Sequence, residues 1–276
     1  MRLITGDTFA EVYEKLLREV YEKYDFESSP RGFKIREILN VNIQIKNPLS
    51  NSFANSFRNL PKKYLRGELL WYFRGQNDTK TIAEYSKFWE AISNPDGTAN
   101  SAYGYLLFKK LAPSNLTQWQ WAYESLIADK DSRQAIIHFN DSSHQWIGNK
   151  DFVCTLNGAF NIRDNKLHFT TMMRSNDAFF GTTYDIPFFT VLQQQMLRHL
   201  KLKYPELELG EYNHYIVSAH IYERDFENID KMLNATFSNE ELPILDVDLI
   251  DTCGNPQQAI LEENDQYNFT KWVFNK

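Results

Sequence analysis

The sequence predicts an α+β fold in one domain, residues 1–276. Helical and strand-like stretches follow one another without the strict alternation that builds a doubly wound sheet. The 276 residues are 42% hydrophobic, and 20 Phe, 15 Tyr and 6 Trp supply far more aromatic surface than a charge-rich disordered chain carries. No internal repeat, low-complexity tract or long linker divides the chain, although its length alone would also allow two domains.

In chain order, Phe9, Val12, Leu16, Leu17, Val20 and Tyr21 recur at three- and four-residue spacing, and Thr8 with Glu11 has the form of a capping box. Residues 8–24 therefore read as an amphipathic helix. The stretch Ser28, Ser29, Pro30, Arg31, Gly32 breaks it with a turn that carries an arginine. Val41, Ile43 and Ile45 alternate with Asn42, Gln44 and Lys46 as in a half-buried strand. Residues 64–73 read as a second helix ending at Gly75, and a further helical stretch precedes the loop at 93–97. Ile136 and Ile137 lie in a strand. Residues 152–173 read as a hairpin turning at Asp164 and Asn165, with Leu167, Phe169 and Thr171 on one face. Pro187 is expected to open a long helix to about residue 203, its buried stripe formed by Phe188, Val191, Leu192, Met196 and Leu200. After Glu240 the chain is acidic and polar, and Trp272 and Phe274 lie near its end.

Thirty basic against 36 acidic residues give a net charge of -6, so no overall positive field recruits a nucleic-acid backbone and no nucleic-acid partner is expected. No run approaches the roughly 20 apolar residues of a bilayer span, and residues 1–7 lack the apolar core of a signal peptide. A cytoplasmic protein without membrane contact is the expectation. Phosphate-cradling G-x-x-x-x-G-K-S/T and G-x-G-x-x-G runs are absent, and the six histidines show no H-E-x-x-H spacing, so neither triphosphate hydrolysis nor a metal site is expected. Cys154 and Cys253 cannot build a disulfide framework, so either matters only as a thiol.

The informative block holds Cys154 and Thr155, then Met173, Arg174, Ser175, Asn176 and Asp177, then Gly181 and Asp185. Taken singly, Cys154 reads as a small buried hydrophobe, Arg174 as a salt-bridged strand end and Asp185 as a cap for the helix at Pro187. Together, in this order, they resemble the thymidylate synthase superfamily. That family places an Arg-Ser pair twenty residues after its cysteine, an Asp two beyond the serine, then a glycine and a pyrimidine-reading residue. Upstream, Gly67, Glu68 and Leu69 to Gly75 resemble the helix bearing the family's glutamate. Phe88, Trp89 and Glu90, with Ser101 to Gly104, resemble its folate-side tryptophan and tyrosine segments. Asp131, Ser132 and Arg133 resemble the arginine strand that reaches a partner subunit, and His220 with Tyr222 the His-x-Tyr that holds the sugar. The resemblance covers about 30–225.

The resemblance implies a mixed sheet flanked by helices and a homodimeric transferase using methylenetetrahydrofolate as cosubstrate. Cys154, Glu68 and Asp185 would be catalytic. Arg31, Arg133 from the partner, Arg174, Ser175, Asp185, His220 and Tyr222 would bind a pyrimidine nucleoside monophosphate, and Trp89, Tyr103, Asp177 and Gly181 the folate. Departures from the methyl-forming members point further. Asp185 replaces their uracil-reading asparagine, and Thr155 and the run 173–177 look like the deoxycytidylate hydroxymethylase branch. Ile92 and Gln134 replace a second tryptophan and a second arginine, Ala159 replaces a glutamine, and residues 271–276 differ from the usual tail. The implied product is 5-hydroxymethyl-dCMP; thymidylate synthase, a cytidylate methyltransferase and a non-catalytic nucleotide-binding relative are the alternatives.

The chemistry suits those residue types. A thiolate added at C6 makes C5 of a pyrimidine nucleophilic, and a neighbouring arginine lowers a thiol's pKa. Guanidinium forks suit a phosphate dianion, although Arg31 and Arg133 taken singly read as surface ion pairs. Cytosine presents an acceptor at N3 and a donor at its amine, so a carboxyl that reads it must share one proton, as a partly buried Asp185 with a raised pKa would. Glu68 would order water and move protons, its bland reading being a helix-surface charge.

Overall fold

The computed structural model describes residues 1–263 and 265–275. Its elements run β1 (Arg2–Gly6), α1 (Phe9–Glu22), β2 (Phe26–Ser28), β3 (Ile35–Ile45), β4 (Ser52–Asn55), α2 (Lys62–Phe73), α3 (Thr79–Ala83), α4 (Phe88–Ile92), α5 (Tyr103–Phe108) and α6 (Gln118–Ala128). There follow β5 (Ile136–His138), β6 (Thr155–Arg163), β7 (Lys166–Met173), β8 (Asn176–Asp177), α7 (Thr182–Leu200), β9 (Glu208–Tyr222), α8 (Phe226–Leu233), β10 (Phe237–Glu240), α9 (Gln258–Leu261) and α10 (Asn268–Val273). This is the α+β class with a mixed sheet. The chain divides into two compact units, each assembled from three separate stretches. Lys276, the last residue of the atypical tail, lies outside the described residues.

The first unit takes Met1–Leu60, His168–Leu192 and Leu209–Leu242. In its sheet β3 lies between β1 and β9, parallel to the first and antiparallel to the second, and β7 follows on the far side of β9. Short β8 adds in parallel to β9. Against β3 packs α1, whose buried face is Phe9, Val12, Tyr13, Leu16, Leu17 and Val20, each such burial stabilising by about 1.5–3 kcal/mol. Thr8 caps that helix by accepting from the Glu11 amide at 3.3 Å, while the Glu11 carboxylate returns to the Asp7 amide at 3.0 Å.

The second unit takes Pro61–Leu167, Gln193–Glu208 and Pro243–Lys276. Here β5 pairs antiparallel with β6, and the chain turns into β7 at Asp164 and Asn165, whose φ of 48° and 57° fit a two-residue hairpin loop. Gly75 ends α2 in the left-handed region, φ 64°. Gly104 on α5 lies so close to α2 that a Cβ there would sit 1.7 Å from the Tyr72 carbonyl oxygen. Among the described residues no helix is long and apolar enough to cross a membrane.

The helix expected from Pro187 begins earlier, at Thr182, and Pro187 lies inside it. A proline in the second turn forfeits one bond to the preceding turn, which the start of α7 tolerates because side chains anchor it. Thr182 donates to Asn176, and Thr183 to the Phe180 carbonyl at 2.7 Å. Asp185 is therefore in the first turn of α7 and does not cap a helix at Pro187.

Candidate active site

In the second unit Cys154 sits half-buried at the bend that leads into β6. Its neighbours fix that bend. Asn140 donates to the Val153 carbonyl at 2.7 Å, and the fully buried Thr155 hydroxyl donates to the Tyr103 hydroxyl at 2.8 Å. Buried Asp151 accepts from the Ser101 amide at 2.8 Å and the Ser101 hydroxyl at 2.6 Å. The segment before Tyr103 is thus tied to the segment before Cys154 at two points. The Tyr103 ring stacks on Tyr72 with centroids 5.3 Å apart and meets the Phe139 edge at 4.9 Å.

Glu68 is buried on α2, so its reading as a surface charge fails. Tyr64, one turn earlier, donates to its Oε1 at 2.6 Å, and the Trp89 indole N–H donates to the Tyr64 oxygen at 3.1 Å. Sequence reasoning singled out Glu68 and Trp89 but missed Tyr64, which the i, i+4 spacing on one helix would have flagged. Gly67 is required beside Glu68, since a Cβ would enter the Tyr85 ring at 2.3 Å. Trp89 packs on Trp71 at 5.0 Å, while Phe88 is exposed and Ile92 half-buried on the same turn of α4. That apolar edge fits a flat heteroaromatic ring. Arg133 and Gln134 are exposed on the irregular segment entering β5 and not on the strand itself.

The first unit holds the remaining residues. Pairing of β8 with β9 sets Asp177 opposite His220 and Asn176 opposite Ala219. Asp177 accepts from the Phe179 and Phe180 amides at 2.9 and 3.2 Å, which shapes the turn toward Gly181. Asp185 Oδ2 accepts from the Asn176 amide nitrogen at 2.8 Å. Desolvation pushes the Asp185 carboxyl up to about 7, opposed by the Asn176 hydrogen bond and reinforced by the nearby Asp177 charge. Gly181 has no room for a side chain: a Cβ would stand 2.9 Å from the Asn176 amide nitrogen and 3.4 Å from Asp185 Oδ2. His214, fully buried behind Asn176, is pushed down to about 3 by burial. Neither Asn176's contacts nor His214 was singled out by sequence.

Arg31 is exposed in a short turn with a left-handed backbone, φ 54°, followed by Gly32 at φ 83°. Its guanidinium reaches the Tyr222 hydroxyl, and Arg224, unforeseen in the sequence, lies 4.4 Å over the Tyr222 ring. His220 is buried, edge-on to Tyr222 at 5.2 Å, and burial lowers its pKa against the pull of Asp177, with Arg174 adding to the lowering. Arg174 and Ser175 are half-buried between β7 and β8. The first unit therefore carries Arg31, Arg174, Ser175, Asp177, Gly181, Asp185, His220 and Tyr222, and the second carries Cys154, Glu68, Trp89, Tyr103 and Arg133.

A sequence profile described as thymidylate synthase matches residues 11–262. The deoxyuridylate hydroxymethyltransferase of Bacillus phage SP01 is 28% identical over 261 residues, 89% of this chain and 67% of its own. The deoxycytidylate 5-hydroxymethyltransferase of Enterobacteria phage T4 is 28% identical over 213 residues, 75% of this chain and 83% of its own. The solved thermostable thymidylate synthase A of Bacillus subtilis matches in fold with a TM-score of 0.67, covering 85% of this chain and 86% of its own at 20% identity.

Proposed function

The chain belongs to the thymidylate synthase family of folate-dependent pyrimidine-nucleotide C5 hydroxymethyl- and methyltransferases, and from that premise we propose that it converts dCMP to 5-hydroxymethyl-dCMP. The observation that carries the cytosine assignment is the carboxyl of Asp185, pushed up to about 7 and held on one oxygen by Asn176. A carboxyl protonated near neutral pH donates one hydrogen bond and accepts another, the pattern that N3 and the exocyclic amine of cytosine require.

Methylenetetrahydrofolate supplies a carbon at the oxidation level of formaldehyde, so that with one water the products are 5-hydroxymethyl-dCMP and tetrahydrofolate. We assign Trp89, Tyr103, Asp177 and Gly181 to its recognition. Cys154 adds as thiolate to C6 and leaves again at the end, which makes C5 the nucleophile. Glu68, with Tyr64 donating to it, orders water and moves protons at the ring. Arg31, Arg174 and Ser175 bind the phosphate together with Arg133 of a second subunit, and His220 and Tyr222 hold the sugar. In this reading both units work as one catalytic domain of a cytoplasmic homodimer.

Tritium release from C5-labelled dCMP and dUMP, followed by product mass, tests the assignment. Release from dCMP with a product heavier by the elements of formaldehyde is expected; release from dUMP alone overturns the cytosine reading. The SP01 relative, which spans more of this chain than its T4 counterpart, makes dUMP hydroxymethylation the second reading.

A further inference from the structure

Behind Asp185 lies a chain of buried polar side chains that no step assigned so far employs. The Asn176 carbonyl oxygen accepts from the Thr182 hydroxyl at 2.5 Å and faces His214 Nε2 at 3.3 Å. The other ring nitrogen, Nδ1, meets the Tyr212 hydroxyl at 2.8 Å and the Thr171 hydroxyl at 2.9 Å, and those hydroxyls are 2.6 Å from each other. All these residues are buried except Asp185, which is half-buried.

The Asn176 amide, which donates to Asp185 and accepts from Thr182, sets the orientations along this chain. Because His214 Nε2 faces the Asn176 oxygen, an acceptor, the neutral ring carries its hydrogen there, and Nδ1 accepts from one of the two hydroxyls while the other hydroxyl hydrogen lies between them. The Nε2–H then donates to Asn176. With two donors directed at one end of its amide, Asn176 must place its oxygen toward them and its NH2 toward Asp185. The flipped amide would turn its NH2 toward the His214 Nε2–H, setting donor against donor. Gly181 leaves the gap that lets the amide reach the carboxyl.

We propose that Asn176, set by Thr182 and His214, is a positioning residue that makes Asp185 Oδ2 the carbonyl oxygen and Oδ1 the proton-bearing one, and so decides which base the acid accepts. This rests on Asp185 being the base reader. A neutral carboxylic acid has two forms that differ in which oxygen holds the proton. In this proposal Oδ1 faces N3 of the base and Oδ2 its 4-substituent, so that one form donates to N3 of cytosine through Oδ1 and accepts from its amine through Oδ2. The other accepts from N3–H of uracil and donates to its O4. An N–H aimed at Oδ2 favours the first form, because a carbonyl oxygen accepts a hydrogen bond better than an acid hydroxyl, and a carbonyl retains a second lone pair for the amine. Specificity between the two bases then comes from a residue that need not touch either.

The experiment compares kcat/KM for dCMP and dUMP in the full-length native enzyme, Asn176→Ala, His214→Phe and Asp185→Ala. In Asn176→Ala the dCMP-to-dUMP ratio is expected to fall at least about 10-fold, as for loss of one orienting hydrogen bond to a polar group, and in His214→Phe by a smaller factor. An unchanged or increased ratio in both variants overturns the relay. Should Asn176→Ala fail to fold, His214→Phe, two hydrogen bonds from the carboxyl, carries the test. A pH profile supplies a readout that mere loosening would not move. Asn176 lowers the Asp185 pKa, so its removal shifts the alkaline limb for dCMP upward. The groups facing this carboxyl within its unit are Asp177 and Asn176 on β8 and Tyr212 and His214 on β9, and none of them changes in Asn176→Ala except Asn176. Asp185→Ala separates the two ideas: if it leaves base preference intact, the assignment of Asp185 fails whatever Asn176 does.

Discussion

The region around Asp185 and the region around Cys154 are held by different forces. Near Asp185 each polar atom is fixed by another buried polar atom, from Tyr212 and Thr171 through His214 and Asn176 to the carboxyl. Around Cys154 and Glu68 the bracing is aromatic, with Tyr72 on Tyr103, Tyr103 against Phe139 and Trp71 on Trp89, and single hydrogen bonds steer the functional groups. Directional bonds suit a task of discrimination, because one misplaced proton reverses the reading of a base. Aromatic packing fixes position without fixing charge, which suits the proton-moving roles proposed for the thiol and the carboxylate.

Changing Cys154 to Ala should break the comparison most severely. Tritium release should drop by about 10⁴-fold or more, since nothing else nearby replaces the nucleophile, while dCMP binding measured by calorimetry persists. Residual turnover within about 10-fold of native would remove the covalent role. Glu68→Gln comes next, with an expected loss of about 10²–10⁴ in kcat for a group that moves protons. The isosteric amide still accepts from Tyr64, so the fold should hold, and a near-native kcat would reduce Glu68 to a packing partner.

Arg133 sharpens the comparison differently, because it stands exposed while every other assigned side chain of the second unit is buried or half-buried. Alone, Arg133→Ala should raise the KM for nucleotide by about 10-fold or more, the worth of a charge-assisted bond to phosphate. Mixed and reassociated with Cys154→Ala, it should regain activity up to about a quarter of native, because half the dimers are mixed and each mixed dimer holds one intact site. No regain on mixing would show that Arg133 acts within its own subunit or not at all.

Local chemistry was legible in the sequence, and contacts built by distant strands were not. The turn at Asp164 and Asn165 is visible because both residue types tolerate positive φ, and the cap at Thr8 because its partner is three residues away. Pro187 misled because its preference for a helix start competes with Thr182 and Asn176, which meet only after β8 has joined β9. His214 gave no signal, since alternation predicts that it is buried but not what it touches. The proposed nucleophile, base reader and arginines stood out only because their order and spacing resemble a family pattern, while Tyr64, Asp151, Thr182 and His214, which orient other groups, did not.

The smallest effect is thermodynamic and comes from the two titrating groups of the Asp185 region. Folded Asp185 holds its proton to about pH 7, whereas unfolded it releases it near 3.8, so between those values the native state binds more protons and stability falls as pH rises. His214 acts with the opposite sign: held near 3 when folded and near 6.5 when unfolded, it costs stability as pH falls through that range. The two slopes offset each other from about pH 4 to 6.5. Asp185→Asn removes one of them. Its amide oxygen still accepts from Asn176, and the expected gain is near zero at pH 4 and about 1–3 kcal/mol by pH 8. Thermal unfolding followed from pH 4 to 8 should therefore show the variant's Tm rising above native as pH increases, by about 2–4 °C for each kcal/mol. A Tm difference that does not vary with pH would mean that the carboxyl is already ionised in the native state, and a base reader without a proton to share would repel N3 of cytosine.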